Sequence, residues 1–145
     1  MRAITLIGII ALMSVSVTTL AEENLKNVRA TKRIAENIIS QIEQGKVDEA
    51  FTQLKIYWPL APGEIDDLLA HTKEQRKLVK ERFGQALSVE FIRTEEVGTS
   101  LVRHTFIEKF ERHALRWQLS FYKPSNHWIV NTIYWDDKVS DVYST

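Results

Sequence analysis

The sequence predicts an α+β fold, helices first and strands after, in a single domain. Three observations predict it. Apolar residues recur at steps of three and four as far as residue 83, then at every second position after Gly84. The segment 114–122 alternates without a break, with Leu115, Trp117, Leu119 and Phe121 on one side and Arg116, Gln118 and Ser120 on the other. No repeat, low-complexity tract or Pro/Gly/Ser linker divides the 145 residues, of which 44% are apolar, so one core is expected and disorder is not.

The first element, residues 1–21, reads as a signal peptide. Arg2 is followed by an uncharged run from Ala3 to Ala21, apolar at first and rich in Ser and Thr later. It closes on Thr19-Leu20-Ala21, the small-x-small pattern that precedes cleavage. A retained membrane span is the alternative, weakened by Ser14, Ser16, Thr18 and Thr19. The chain is therefore expected to be periplasmic or secreted, with no stable membrane anchoring after cleavage. Residues 22–145 form the mature α+β domain. No Cys is present, which removes lipidation at the cleavage point, disulfides, thiolate metal sites and Cys nucleophiles.

A first helix is predicted over 25–44, with Leu25, Val28, Ala35, Ile38, Ile39 and Ile42 on one face and Gly45 as its stop. A short second helix carries Val47, Ala50, Phe51 and Leu54, and Pro59 and Pro62 break the chain after it. A third runs over 64–83, with acidic residues at its positive end and Gly84 beyond it. Four strands follow over 87–95, 99–110, 114–122 and 127–135, and their short links predict an antiparallel meander.

Turn length sets which residues share a face. A four-residue turn at 123–126 puts Trp128, Val130, Thr132 and Tyr134 with Trp117 and Leu119 on the core side. A two-residue turn at Glu111-Arg112 adds Val102, His104, Phe106 and Glu108. A three-residue turn there would instead send His104 outward; the even turn is preferred.

Three helices followed by such a meander, ending in Trp117-Gln118-Leu119-Ser120-Phe121-Tyr122, a polar turn, His127-Trp128-Ile129-Val130-Asn131 and Tyr134-Trp135-Asp136-Asp137, resemble the nuclear transport factor 2-like (SnoaL-like, cystatin-like) superfamily. The resemblance covers nearly the whole mature chain and lies in the fold, not in a catalytic motif. It implies a curved sheet around the long helices, a conical pocket and frequent pairing through the outer sheet face. Members include isomerases, dehydratases and hydrolases as well as modules that only bind, so the fold leaves function open.

His104 is the sharpest candidate for chemistry, because an imidazole in an apolar cavity can act as general acid or base. Glu108 shares its face but stands about 13 Å along the strand, beyond direct hydrogen bonding. The acid/base pair of the superfamily's enzymes finds no residue-by-residue match. With Phe106, Trp117, Leu119 and Tyr134, His104 is expected to line a pocket for a small apolar ligand. Glu90, Arg93, Arg103 and Arg116 are read as a cross-strand ion-pair ladder, and Asp136-Asp137 as a solvated strand end. The four His show no metal-ligand spacing, so no metal or cofactor is expected. The 19 basic and 19 acidic residues leave no cationic excess for nucleic acid. Ile107, Ile129, Ile133 and Trp135 are expected on the outer face, where an apolar patch would support a homodimer. Two functions stay open: a non-catalytic ligand-binding or dimerising module, and a small isomerase- or dehydratase-type enzyme using His104.

N-terminal sequencing of the exported protein is expected to begin at Glu22. A full-length chain in the membrane fraction would contradict this.

Overall fold

The computed structural model describes residues 25–143. Residues 1–21, which the sequence leads one to expect as a signal peptide, lie outside them. Three helices, α1 (Val28–Glu43), α2 (Val47–Tyr57) and α3 (Pro62–Phe83), precede four strands: β1 (Ala86–Val97), β2 (Leu101–Phe110), β3 (Ala114–Tyr122) and β4 (Ile129–Asp136). The strands form one antiparallel sheet in the order β1-β2-β3-β4. A 3-10 turn, Val139–Val142, follows. The α+β class and the meander are therefore as the sequence predicts.

Helix α1 starts three residues later than the apolar period implies. Asn27 Oδ1 accepts from the Ala30 amide at 2.9 Å, an N-cap that satisfies an otherwise orphan donor. Leu25 is buried as expected, but as extended chain: its carbonyl accepts from Trp128 N–H at 2.8 Å, an isolated bridge onto the start of β4. Helix α3 begins two residues earlier than expected, at Pro62. Proline fits the first helical position because the amide it lacks would be unpaired there, and Glu64 reaches back to the Ala61 amide. At its other end Gly84 takes φ 86°, and the carboxylate of Glu111 occupies the space where a side chain at residue 84 would stand. Arg112 caps α3 from the β2–β3 turn through the Glu81, Arg82 and Phe83 carbonyls.

The even turn at Glu111-Arg112 is observed, with Val102 opposite Phe121, His104 opposite Leu119 and Phe106 opposite Trp117. His104, Phe106, Glu108, Trp117 and Leu119 are all buried on the inner face. Helix α1 crosses β1, β2 and β3, α2 meets β4, and α3 packs on α2. Trp117 has no exposed surface and stacks on Trp135 with ring centroids 5.4 Å apart.

The register of β4 differs from expectation. The link after β3 spans residues 123–128 and not the expected 123–126, so Tyr122 pairs with Ile129 and Phe121 with Val130, two positions further on with the facing unchanged; Ser120 then pairs with Thr132, so Asn131 is an extra residue on β4. One inserted residue reverses the facing of everything beyond it. Trp128 and Val130 stay inside as expected. Thr132 and Tyr134 turn outward, and Ile133 and Trp135 turn inward to pack against the core, opposite Leu119 and Trp117. Tyr134 is thus not a core-side residue, being 48% exposed. Ile133 and Trp135 are not on the outer face.

That bulge makes a test. Ile133→Ala is expected to cost about 1–2 kcal/mol, less than a fully buried Ile because it is only half buried, and Tyr134→Ala to stay near about 0.5 kcal/mol. Urea unfolding of both variants reads the difference; the opposite order would restore the unbulged register.

Candidate functional site

The inner face of β2 carries the two groups that sequence reasoning singled out, His104 and Glu108. Each is fully buried. A buried imidazole or carboxylate must be hydrogen-bonded or neutralised, because an unpaired one costs several kcal/mol. How each is satisfied decides what it can do.

His104 is held from two sides. Thr31 of α1 donates its hydroxyl proton to the Val28 carbonyl at 2.8 Å, so its oxygen accepts from His104 Nε2–H, also at 2.8 Å. Nδ1 then accepts from the Thr94 hydroxyl of β1 at 2.9 Å. This assigns a neutral ring with both nitrogens occupied. The Phe121 ring meets it edge-on at 5.7 Å. Burial, with a smaller contribution from the Lys32 cation, lowers its pKa from 6.5 to about 4. At neutral pH His104 is therefore an uncharged bolt between α1, β1 and β2.

Glu108 sits at the floor of the helix–sheet interface. Arg76 of α3 grips it through two parallel bonds of 2.8 and 2.9 Å, and Trp117 Nε1 donates to the same carboxylate at 2.8 Å. Arg76 also donates to the Ile42 carbonyl near the end of α1 at 3.1 Å. Sequence reasoning did not find Arg76. The available signal was Glu108 itself: an acid on a core face requires a cation. Which of the α3 cations supplies it depends on how the helix docks, which no local pattern encodes.

Of the pocket residues nominated from sequence, five clefts of 280–420 Å³ among the described residues take only Phe106, in a groove between α1 and β1. His104, Trp117, Leu119 and Tyr134 line none of them. The inner face is packed with side chains where a hollow cone was expected. On the outer face Ile107 and Ile129 stand where the sequence places them, both half buried. They are separated by polar residues and joined there by Tyr134, whose hydroxyl donates to Asp136. Thr105 points outward yet has no exposure. Gln118 donates to its hydroxyl at 3.4 Å. On the same face Arg93 donates to the Val142 carbonyl and Arg116 pairs with Asp141, which straps the Val139–Val142 turn over the sheet.

Asp136 is not a solvated strand end. Arg116 holds it bidentately at 2.7 and 3.0 Å. Burial opposes its ionisation, but the bonds from Arg116, Tyr134 and the Lys138 amide outweigh it and hold its pKa below the usual value. The expected ladder forms with altered partners: Arg103 and Arg93 share Glu95, and Lys109 takes Glu90. No group of three His, Asp or Glu among the described residues is arranged to hold a metal, and no helix among them is long and apolar enough to cross a membrane.

These features define an α+β protein of three helices on a four-stranded antiparallel sheet, with two buried polar anchors in its core. No protein-family model, curated protein or solved structure matches the chain.

Two outcomes are expected. Arg76→Ala leaves Glu108 buried without its cation, held by Trp117 alone, and lowers stability by about 3–5 kcal/mol in urea unfolding. His104 has a lower pKa folded than unfolded, so the unfolded chain binds more protons between pH 6.5 and about 4. Stability falls as pH drops through that window, by roughly 3 kcal/mol at its lower end. His104→Gln is expected to flatten this slope; an unchanged slope would place the pH dependence elsewhere.

Proposed function

We propose that this chain is a non-catalytic ligand-binding module of an exported protein, periplasmic or secreted, with a fold of the nuclear transport factor 2-like, cystatin-like kind. The observation that carries the non-catalytic reading is the full commitment of both inner-face titratable groups. His104 commits both ring nitrogens to Thr31 and Thr94, and Glu108 commits its carboxylate to Arg76 and Trp117. A general acid or base needs a free nitrogen or oxygen within reach of substrate, and neither group offers one to a cleft. The order of helices and strands, with α1 across the meander, supports the fold reading. Arg2 and the Thr19-Leu20-Ala21 end support export.

The dimerising form of this reading is the weaker one. Of its four outer-face residues only Ile107 and Ile129 remain outside, and the chain's own Val139–Val142 turn is tied to Arg93 and Arg116 on that face. An apolar patch broken in this way gives little self-complementary area. The clefts along the helices therefore carry the binding role.

Native mass spectrometry of the exported protein tests it. A small adduct that is lost on denaturation, and is recovered chemically unchanged after prolonged incubation with fresh protein, is the expected result. Absence of any adduct overturns the binding role. Conversion of the ligand by the wild-type chain but not by His104→Gln overturns the non-catalytic one.

A further inference from the structure

A cleft of about 420 Å³ opens where the end of α1, the start of α2, α3 and the start of β1 converge, a size typical of small-molecule sites. Helix α3 supplies Lys73, Arg76, Lys77 and Lys80 to its wall, at spacings that set them on one stripe. Like charges three and four residues apart on a helix repel one another. Three of the four have acids: Lys73 pairs with Asp48, Arg76 with Glu108 and Lys77 with Glu74. Lys80 has no acid partner among the described residues. Arg76 uses three of its N–H groups on Glu108 and Ile42, which leaves two without an acceptor among the described residues, on a side chain only 14% exposed. A guanidinium so desolvated gains more from a further anionic acceptor than an exposed one does. Glu43 is the sole carboxylate among the lining residues. The other side is apolar: Val47 and Phe110 are nearly buried, and Ala86 lies beside them.

We infer that this cleft binds a small amphipathic carboxylate. The head group faces Lys80 and the spare donors of Arg76, and a short apolar body lies on Val47, Ala86 and Phe110. The inference rests on the binding-module reading and names the ligand class it would take. Cations on one wall and apolar surface on the other select for an anion with a hydrocarbon body, against both a bare anion and a cationic amphiphile.

Octanoate is the probe, with octyltrimethylammonium and inorganic phosphate as controls, followed by amide chemical shifts in the isotopically labelled protein. Saturable shifts are expected at Gly45, Gly84 and Gln85 with octanoate. Phosphate should bind at least about tenfold more weakly for lack of apolar contact, and the cation not at all. Lys80→Glu should weaken octanoate about tenfold through charge reversal near the head group. It should shift the urea midpoint only slightly, since Lys80 is exposed and loses no ion pair among the described residues, while relief of its repulsion from Arg76 and Lys77 opposes the loss of a cation from the last turn of α3. Shifts scattered over the surface, equal binding of phosphate or of the cation, or undiminished affinity in Lys80→Glu would overturn the assignment. A co-purified ligand together with silent octanoate removes the carboxylate and leaves the module. Chemical turnover of a carboxylate bound here leaves the cleft and removes the non-catalytic reading.

Discussion

The ion pair between Arg76 and Glu108 is the contact on which the helix–sheet assembly depends. One guanidinium joins three parts of the chain: α3, which carries it, the end of α1, whose Ile42 carbonyl it binds, and β2, whose carboxylate it neutralises. Trp117 adds the fourth, donating from β3 into the same carboxylate. Helix α3 lies mainly on α2 and meets the sheet through its last turn, where Phe83 packs on Phe110 and Arg112 caps the helix; the Arg76–Glu108 link adds a second attachment further back along the helix. Ion pairs in cores often contribute little net stability, because dehydrating two charges offsets their attraction. What they do contribute is a single arrangement. A helix docked so that Arg76 lay elsewhere would break its bidentate grip on Glu108 and its bond to the Ile42 carbonyl together.

His104 plays the matching part at the other end of the strand. Its two threonines come from α1 and from β1, so the imidazole ties a helix to two adjacent strands. An apolar side chain of similar volume would leave the half-buried Thr94 hydroxyl and the buried Thr31 oxygen each with one bond fewer. The two anchors lie four residues apart on β2, and the region between them is filled by Phe106, with Trp117 opposite it on β3. This packing is why the inner face holds no open cone: the interior polar groups are bound to one another and the space between them is aromatic.

Much of this was legible in the sequence. The change of period at Gly84 marks the switch from helices to strands, and the clean alternation of 114–122 gives β3 its limits, since both are local properties of the chain. The Glu111-Arg112 turn was readable because an even turn puts His104, Phe106 and Glu108 on the face of Trp117 and Leu119. Three things were not legible, each for a physical reason. At the start of α1 the capping signal of Asn27 competes with a hydrophobic period that runs on to Leu25, whose burial comes from bridging Trp128 and not from a helix face. The partner of Glu108 lies 32 residues upstream, on a helix whose docking depends on tertiary packing. The bulge at Asn131 has no local signature: Val130, Ile133 and Trp135 are all apolar, so inside and outside cannot be told apart by hydrophobicity along β4.

Asn131 also acts as a phase marker for the end of the sheet. Every side chain beyond it takes its facing from one unpaired residue, so the last part of β4 is out of phase with the first. Substitutions at neighbouring positions change one contact each. Loss of Asn131 itself would join Val130 directly to Thr132 and leave every pairing beyond it as it stands, whereas a residue added to the paired stretch would turn the rest together, taking Trp135 out of its stack on Trp117 and Asp136 away from Arg116. In a chain whose C-terminal strap hangs from that same arginine, the reading frame of one short strand sets where the polypeptide ends up on the far side of the sheet.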